Sequence, residues 1–177
     1  PGTTVVCGDS HTCTHGGMGA LAWGIGASEL VHALATQTVM QRKPKRMRVN
    51  FDGHLPEWLS AKDLILHVIG REGAAAGDGY AVEYAGASIR ALGVEARLTL
   101  CNLSIEMGAK VGMIAPDDTI YHYLCGRPYA PAGSDWDRAL AAWRALTSDD
   151  EATFDAEMNV PIDDLAPHIS WGTSPEH

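Results

Sequence analysis

The 177-residue sequence predicts an α/β fold with short strands, several of them parallel. Three features support this: β-branched apolar runs that end in polar residues, glycine-bearing loops directly after them, and apolar stretches of helical spacing in between. The first run, residues 3–7, closes on Gly8-Asp9-Ser10. It reads as a buried strand presenting polar side chains at its carboxyl end. A glycine loop, His15-Gly16-Gly17-Met18-Gly19, follows it. Residues 20–40 then hold almost no large polar side chains beyond Glu29, His32 and Gln37, which predicts a long and largely buried helix.

Residues 41–48 carry five of the thirteen basic residues around Pro44 and read as a solvated turn. Residues 47–55 form the next expected strand. Ser60-Ala61-Lys62-Asp63 has capping-box character, and Leu64, Ile65, Val68 and Ile69 fall on one face of the helix it opens, with Gly70 and Gly73 as stop signals. Residues 80–84 alternate as a strand, residues 88–92 turn helical, and residues 98–108 predict a helix carrying Cys101, Asn102 and Glu106. A buried strand is expected at 111–115. Asp117-Asp118-Thr119 then caps a helix to Leu124, which Gly126-Arg127-Pro128 ends. Residues 136–146 have an amphipathic pattern, and the proline-bearing tail beyond them reads as extended.

A net charge of −9 argues against general binding to a nucleic-acid backbone, and 46% hydrophobic residues supply a sizeable core. No apolar run approaches the roughly 18 residues that span a bilayer. The four cysteines, Cys7, Cys13, Cys101 and Cys125, form no Cys-x-x-Cys pair, so reduced thiols and a cytoplasmic location are expected. Pro1, placed directly before a strand-like run, reads as the start of a segment from a longer polypeptide.

Two polar clusters can do chemistry. The first is Gly8-Asp9-Ser10-His11-Thr12. If the strand continues, Asp9 and His11 project to one side and Ser10 to the other, so these neighbours cannot form a hydrolase triad among themselves. Nor does Ser10 sit in a G-x-S-x-G elbow. The second cluster is residues 101–108, where Asn102 and Glu106 share one face of the expected helix. A carboxylate in such small and apolar surroundings needs a partner, and His11 suits it, because a carboxylate fixes the imidazole tautomer. A capped turn at the first cluster and an exposed Glu106 at the second are the alternatives. The remaining histidines, His32, His54, His67, His122, His168 and His177, read as satisfied or exposed side chains.

These residues also carry a resemblance. The run Val5-Val6-Cys7-Gly8-Asp9-Ser10-His11-Thr12 with its glycine loop, then Cys101-Asn102-Leu103 with Glu106, resembles the aconitase family. Ala35-Thr36-Gln37-Thr38, Gly126-Arg127-Pro128 and Trp171-Gly172-Thr173-Ser174-Pro175 resemble the isopropylmalate dehydratase large subunits within it. The resemblance covers practically the whole chain in order. It implies aconitase-like three-layer α/β subdomains with mixed, partly parallel sheets: residues 1–43 in the first, 44–128 in the second, and 129–177 as an amphipathic helix and extended lead-in to a cluster-binding part.

The implied activity is a hydro-lyase reaction in leucine biosynthesis, moving a hydroxyl between adjacent carbons of 2-isopropylmalate by dehydration and rehydration. A 4Fe-4S cluster acts there as a Lewis acid. The resemblance implies that His11 pairs with Glu106 near the reacting oxygen and that Asp9 pairs with a histidine upstream of Pro1. Ser10 and Asn102 are then substrate or cluster contacts, and His15 is a further candidate near the site. The family's cluster cysteines and general-base serine match nothing here. The cysteines are expected downstream of His177, so this chain should supply no metal ligand and should be inactive alone. The implied partners are a small subunit, forming a heterodimer, and a small dicarboxylate substrate. Competing readings are a homoaconitase or another aconitase-like hydratase, and a non-catalytic interaction module.

Overall fold

The computed structural model describes residues 1–177. The elements in chain order are β1 (Thr4–Cys7), a 3-10 segment (Ser10–Met18), β2 (Leu21–Gly24), α1 (Ala27–Thr36), β3 (Lys45–Asp52), α2 (Ala61–Glu72), β4 (Tyr80–Ala85), α3 (Ala87–Ala91), α4 (Val94–Asn102), a second 3-10 segment (Leu103–Met107), β5 (Val111–Met113), α5 (Asp118–Leu124), α6 (Ser134–Arg144) and β6 (Ala156–Pro161). No helix is long and apolar enough to cross a membrane.

The strands form two sheets, β1-β2 and β5-β4-β3-β6, and every pairing is parallel. The α/β class with parallel strands is therefore as expected, whereas the sheets are wholly parallel and not mixed, because helical or 3-10 crossovers link the paired strands. Parallel neighbours need a crossover. In the small sheet the 3-10 segment provides it, while in the large sheet α2 links β3 to β4, and α3 with α4 links β4 to β5. The chain then returns through α5 and α6 to place β6 on the other side of β3, with Met47 opposite Ala156 and Val49 opposite Met158. The sheet thus runs past residue 128 and draws on the expected third segment.

The core lies on one face of the large sheet. Met47, Val49 and Phe51 of β3, Val82 and Tyr84 of β4 and Val160 of β6 pack against Leu64, Ile65, Val68 and Ile69 of α2 and Leu100 and Cys101 of α4. Each fully buried leucine or isoleucine contributes about 2 kcal/mol. The opposite face of β3 is polar. Arg48 donates to Glu83 at 3.0 Å, and Asn50 donates to Asn159 at 3.1 Å. The period of two along β3 follows from this one-sided core.

Several expectations are corrected. The apolar stretch 20–40 holds a strand and a shorter helix. A Cβ at Gly24 would lie 2.6 Å from the Asp9 carbonyl oxygen, so the chain there is pressed against the 8–10 turn, and Gly26 then starts α1 with its N–H donating to Glu29. Nor is α1 buried, for Val31 and Leu34 stay largely exposed because nothing in this chain covers them. Likewise β1 is half-exposed, having β2 alone as its sheet neighbour. The strand at 47–55 begins earlier, taking in the basic residues Lys45 and Arg46. α2 runs through Gly70 and stops at Gly73. The helix at 98–108 is in fact α4 followed by a 3-10 turn closed by Gly108, whose φ is 83°. The tail contains β6, its Ala156, Met158 and Val160 alternating with polar residues. Beyond β6 the tail does not stay extended to its end. It closes on itself at His177, whose carbonyl accepts the Trp171 N–H at 3.1 Å and whose N–H donates to the Ser174 carbonyl at 3.4 Å.

Candidate active site

Extended backbone ends at Asp9. Its carboxylate oxygen Oδ1 accepts from the His11 N–H at 2.7 Å, and the Thr12 hydroxyl donates to the Asp9 carbonyl at 2.7 Å. Both bonds replace ladder partners and turn the chain into the 3-10 segment. The strand alternation expected for Asp9, Ser10 and His11 therefore does not apply. Ser10 is on the same side as His11, with its hydroxyl 3.1 Å from Nδ1, and Asp9 Oδ1 is 3.8 Å from that nitrogen.

The same segment is docked tightly by its glycines. A Cβ at Gly16 would fall 1.7 Å from the Gly112 carbonyl oxygen of β5, and one at Gly17 would fall 2.8 Å from the Arg97 carbonyl of α4. The Ile114 N–H donates to the Gly16 carbonyl at 3.0 Å, adding a backbone bond to that contact.

Glu106 arrives from the other side on the second 3-10 segment. Its carboxylate oxygen Oε1 lies 3.2 Å from His11 Nε2. A carboxylate oxygen accepts, so the Nε2–H of His11 faces Glu106, and Nδ1 faces the Ser10 hydroxyl. Asn102, at the end of α4, donates from Nδ2 to the Thr14 hydroxyl at 2.8 Å, and that hydroxyl in turn donates to the His11 carbonyl at 2.6 Å. The backbone kinks at His11, and the Thr14 hydroxyl bond to the His11 carbonyl keeps the two residues together, His11 meeting Glu106 and Thr14 meeting Asn102. Asn102 and Glu106 do share a direction, though a helix break separates them. Thr14 was missed because its role depends on the 3-10 turn, which the strand-like sequence before it conceals.

The His11 and Glu106 side chains are 40% and 38% exposed, and Asp9 is 69% exposed. The pair is thus open to a ligand, and Asp9 has a free carboxylate oxygen. His15 lies apart from them. Its Nδ1 donates to the Thr12 carbonyl at 3.0 Å, and its ring lines a groove with Thr3, Val5, Met18, Arg127 and Tyr129.

The cysteines do not fit a cluster. Cys13 and Cys101 are buried, and burial pushes both thiols up, well up for Cys101, which opposes the thiolate form that binds iron. Cys7 and Cys125 are exposed, and no three His, Cys, Asp or Glu side chains converge as a metal site. His177, the residue after which cluster cysteines are expected, is itself exposed and belongs to no such group.

The profile of the Aconitase family (aconitate hydratase) matches residues 1–177. Among curated proteins, the 3-isopropylmalate dehydratase large subunit 1 of Bradyrhizobium diazoefficiens is 63% identical over all 177 residues, and the chain spans 37% of that relative's length. With the match covering the strand-to-3-10 turn that carries Asp9, Ser10 and His11 as well as the segment that carries Asn102 and Glu106, this chain belongs to the aconitase family.

Proposed function

We propose that these residues form part of a hydro-lyase that converts 2-isopropylmalate to 3-isopropylmalate by dehydration and rehydration, as the name of the relative suggests. The observation that supports this reading is the 3.2 Å contact between His11 Nε2 and Glu106 Oε1. Dehydration of a hydroxy acid removes a hydroxyl and a neighbouring proton, and the hydroxyl leaves as water once it is protonated. The imidazolium form of His11 is the proton donor in this reading and returns to the neutral ring as the hydroxyl leaves as water, while Glu106 orients the ring and balances its charge before transfer. Ser10 and Asp9 at the Nδ1 side hold the ring from behind and turn a hydroxyl and a carboxylate toward solvent. In the rehydration direction the same imidazole takes the proton back from water.

The carbon acid's base and the cysteines of a 4Fe-4S cluster are assigned to residues outside these 177, the cysteines to sequence downstream of His177. The cluster is the proposed cofactor, a small subunit the proposed partner, and the cytoplasm the proposed location. In the complete two-subunit enzyme, His11→Ala and Glu106→Gln should each lower kcat on 2-isopropylmalate by ~100-fold or more. Cluster absorbance should persist in both. Near-normal turnover by both variants rejects the assigned roles, and turnover of homocitrate instead of isopropylmalate moves the substrate to the homoaconitase branch.

A further inference from the structure

The turn that bears Glu106 is held from the core side by a polar pair. Tyr84 of β4 is 1% exposed and Ser104 is fully buried, and their hydroxyl oxygens are 2.8 Å apart. The surroundings are apolar apart from this pair: Met107, Leu100 and Cys101 belong to the same core. Burial pushes the Tyr84 phenol well up, and the bond to Ser104 offsets part of that rise, so Tyr84 stays a neutral hydroxyl. Replacing both partners of such a bond by apolar groups of the same shape can be nearly neutral for stability, so stability alone does not account for the pair. What a buried O–H···O bond adds is a fixed distance and direction.

Ser104 stands two residues before Glu106 in a segment of only five residues, Leu103–Met107. It sits against Gly112 of β5, where a Cβ would lie 1.9 Å from the Ser104 hydroxyl oxygen and 3.2 Å from the Tyr84 ring. Gly112 is also the residue whose carbonyl receives Gly16 of the His11-bearing segment. The two segments that carry the His11–Glu106 pair are therefore referenced to one residue of β5, one at its backbone carbonyl and the other at its missing side chain.

We infer that the Tyr84–Ser104 hydrogen bond, seated on Gly112, is the positioning device that sets Glu106 at its distance from His11. Tyr84 and Ser104 are positioning residues in this scheme; neither touches the reacting atoms. The inference rests on the reading that the His11–Glu106 pair carries the proton. Without the Tyr84 hydroxyl the Ser104 turn loses its side-chain anchor, and Glu106, two residues on, loses its fixed distance from His11.

The test uses the complete two-subunit enzyme. Tyr84→Phe, which keeps the ring and removes the hydroxyl, should lower kcat about tenfold and change KM less than about twofold, since displacement of the group that orients the proton donor is felt in the transition state. Ser104→Ala should do the same, which covers the case of one variant folding poorly. In a Glu106→Ala background, Tyr84→Phe should cause no further loss, because the group it positions is gone. An unchanged kcat in Tyr84→Phe and Ser104→Ala, or an equal loss with and without Glu106, overturns the anchoring while leaving the role of the pair intact. Full activity in His11→Ala overturns the role of the pair itself, and the anchoring with it.

Discussion

A methyl group added at Gly16 would lie 1.7 Å from the Gly112 carbonyl oxygen, inside any permitted contact, and both partners are backbone. Neither can rotate away as a side chain could. Gly16→Ala must therefore push the His11-bearing segment off β5, and a steric insertion of this kind costs about 1–3 kcal/mol. Gly70 is the opposite case. It lies inside α2 with nothing within 4 Å of its Cβ position, so glycine there only loosens the helix. Gly70→Ala should stabilise by about 0.5–1 kcal/mol. Urea denaturation of the two variants checks both signs, and a destabilised Gly70→Ala or a neutral Gly16→Ala contradicts the contacts described. At this scale the polar clusters were legible, because residues 8–12 concentrate polar groups after an apolar run and Glu106 stands among small and apolar neighbours. The glycine loop was legible only as a loop. Which glycine meets which carbonyl depends on the position of β5, about a hundred residues away.

α5 shows how much one capping residue can hold. Asp117 accepts the Thr119 N–H at 3.0 Å as N-cap, and its two carboxylate oxygens accept from Arg97 at 2.8 and 2.7 Å. Arg97 is fully buried, and its Nε and Nη2 also donate to the Leu92 and Arg90 carbonyls. Asp117→Ala removes the cap and leaves a buried guanidinium without its counter-charge, a loss of about 3 kcal/mol or more. Asp63→Ala at the start of α2 removes a carboxylate that accepts from Ser60 and the His168 N–H, in a setting with no buried charge to strand. Its cost should be nearer 1 kcal/mol. Comparable losses in the two variants, measured by chemical denaturation, would count against the role assigned to Arg97. Both caps were legible in the sequence because capping is local. α1 was misjudged for the complementary reason: a run of small and apolar residues around Gly24 and Gly26 fits a helix as well as a strand-turn-helix, and the contact of Gly24 with Asp9 decides between them. β6 was hidden because its partner, β3, lies 109 residues earlier, and acidic residues flank its alternating pattern.

At the scale of the whole molecule, α2 and α4 cover one face of the large parallel sheet, and the tail after β6 runs back over α2. His168 donates its N–H to Asp63 at 2.8 Å, Glu176 accepts the Ala74 N–H at 2.9 Å, and His168 Nε2 meets His67 Nδ1 of α2 at 3.3 Å, the two rings nearly perpendicular. Two imidazoles joined nitrogen to nitrogen share one proton at that contact, so protonating both breaks it. Burial pushes the His67 imidazole down, and the neighbouring His168 and Arg71 push it further in the same direction. The unfolded chain therefore takes up a proton at His67 near its ordinary value of 6.5, while the folded chain resists it. Stability from this group is complete above that value and declines as pH falls below it, toward the lower folded value. Asp63 acts later. Burial would raise its carboxyl, but the bonds from His168 and Ser60 outweigh that and hold it below the ordinary 3.8, so its contribution is lost only in stronger acid. The thermal midpoint of the complete chain should fall between pH 7.5 and 5.5. His67→Gln, which keeps a polar side chain and cannot titrate, should reduce that fall while lowering the midpoint at pH 7.5 only slightly. Equal pH dependence in the two proteins would show that the tail's attachment to α2 is indifferent to the His67 proton.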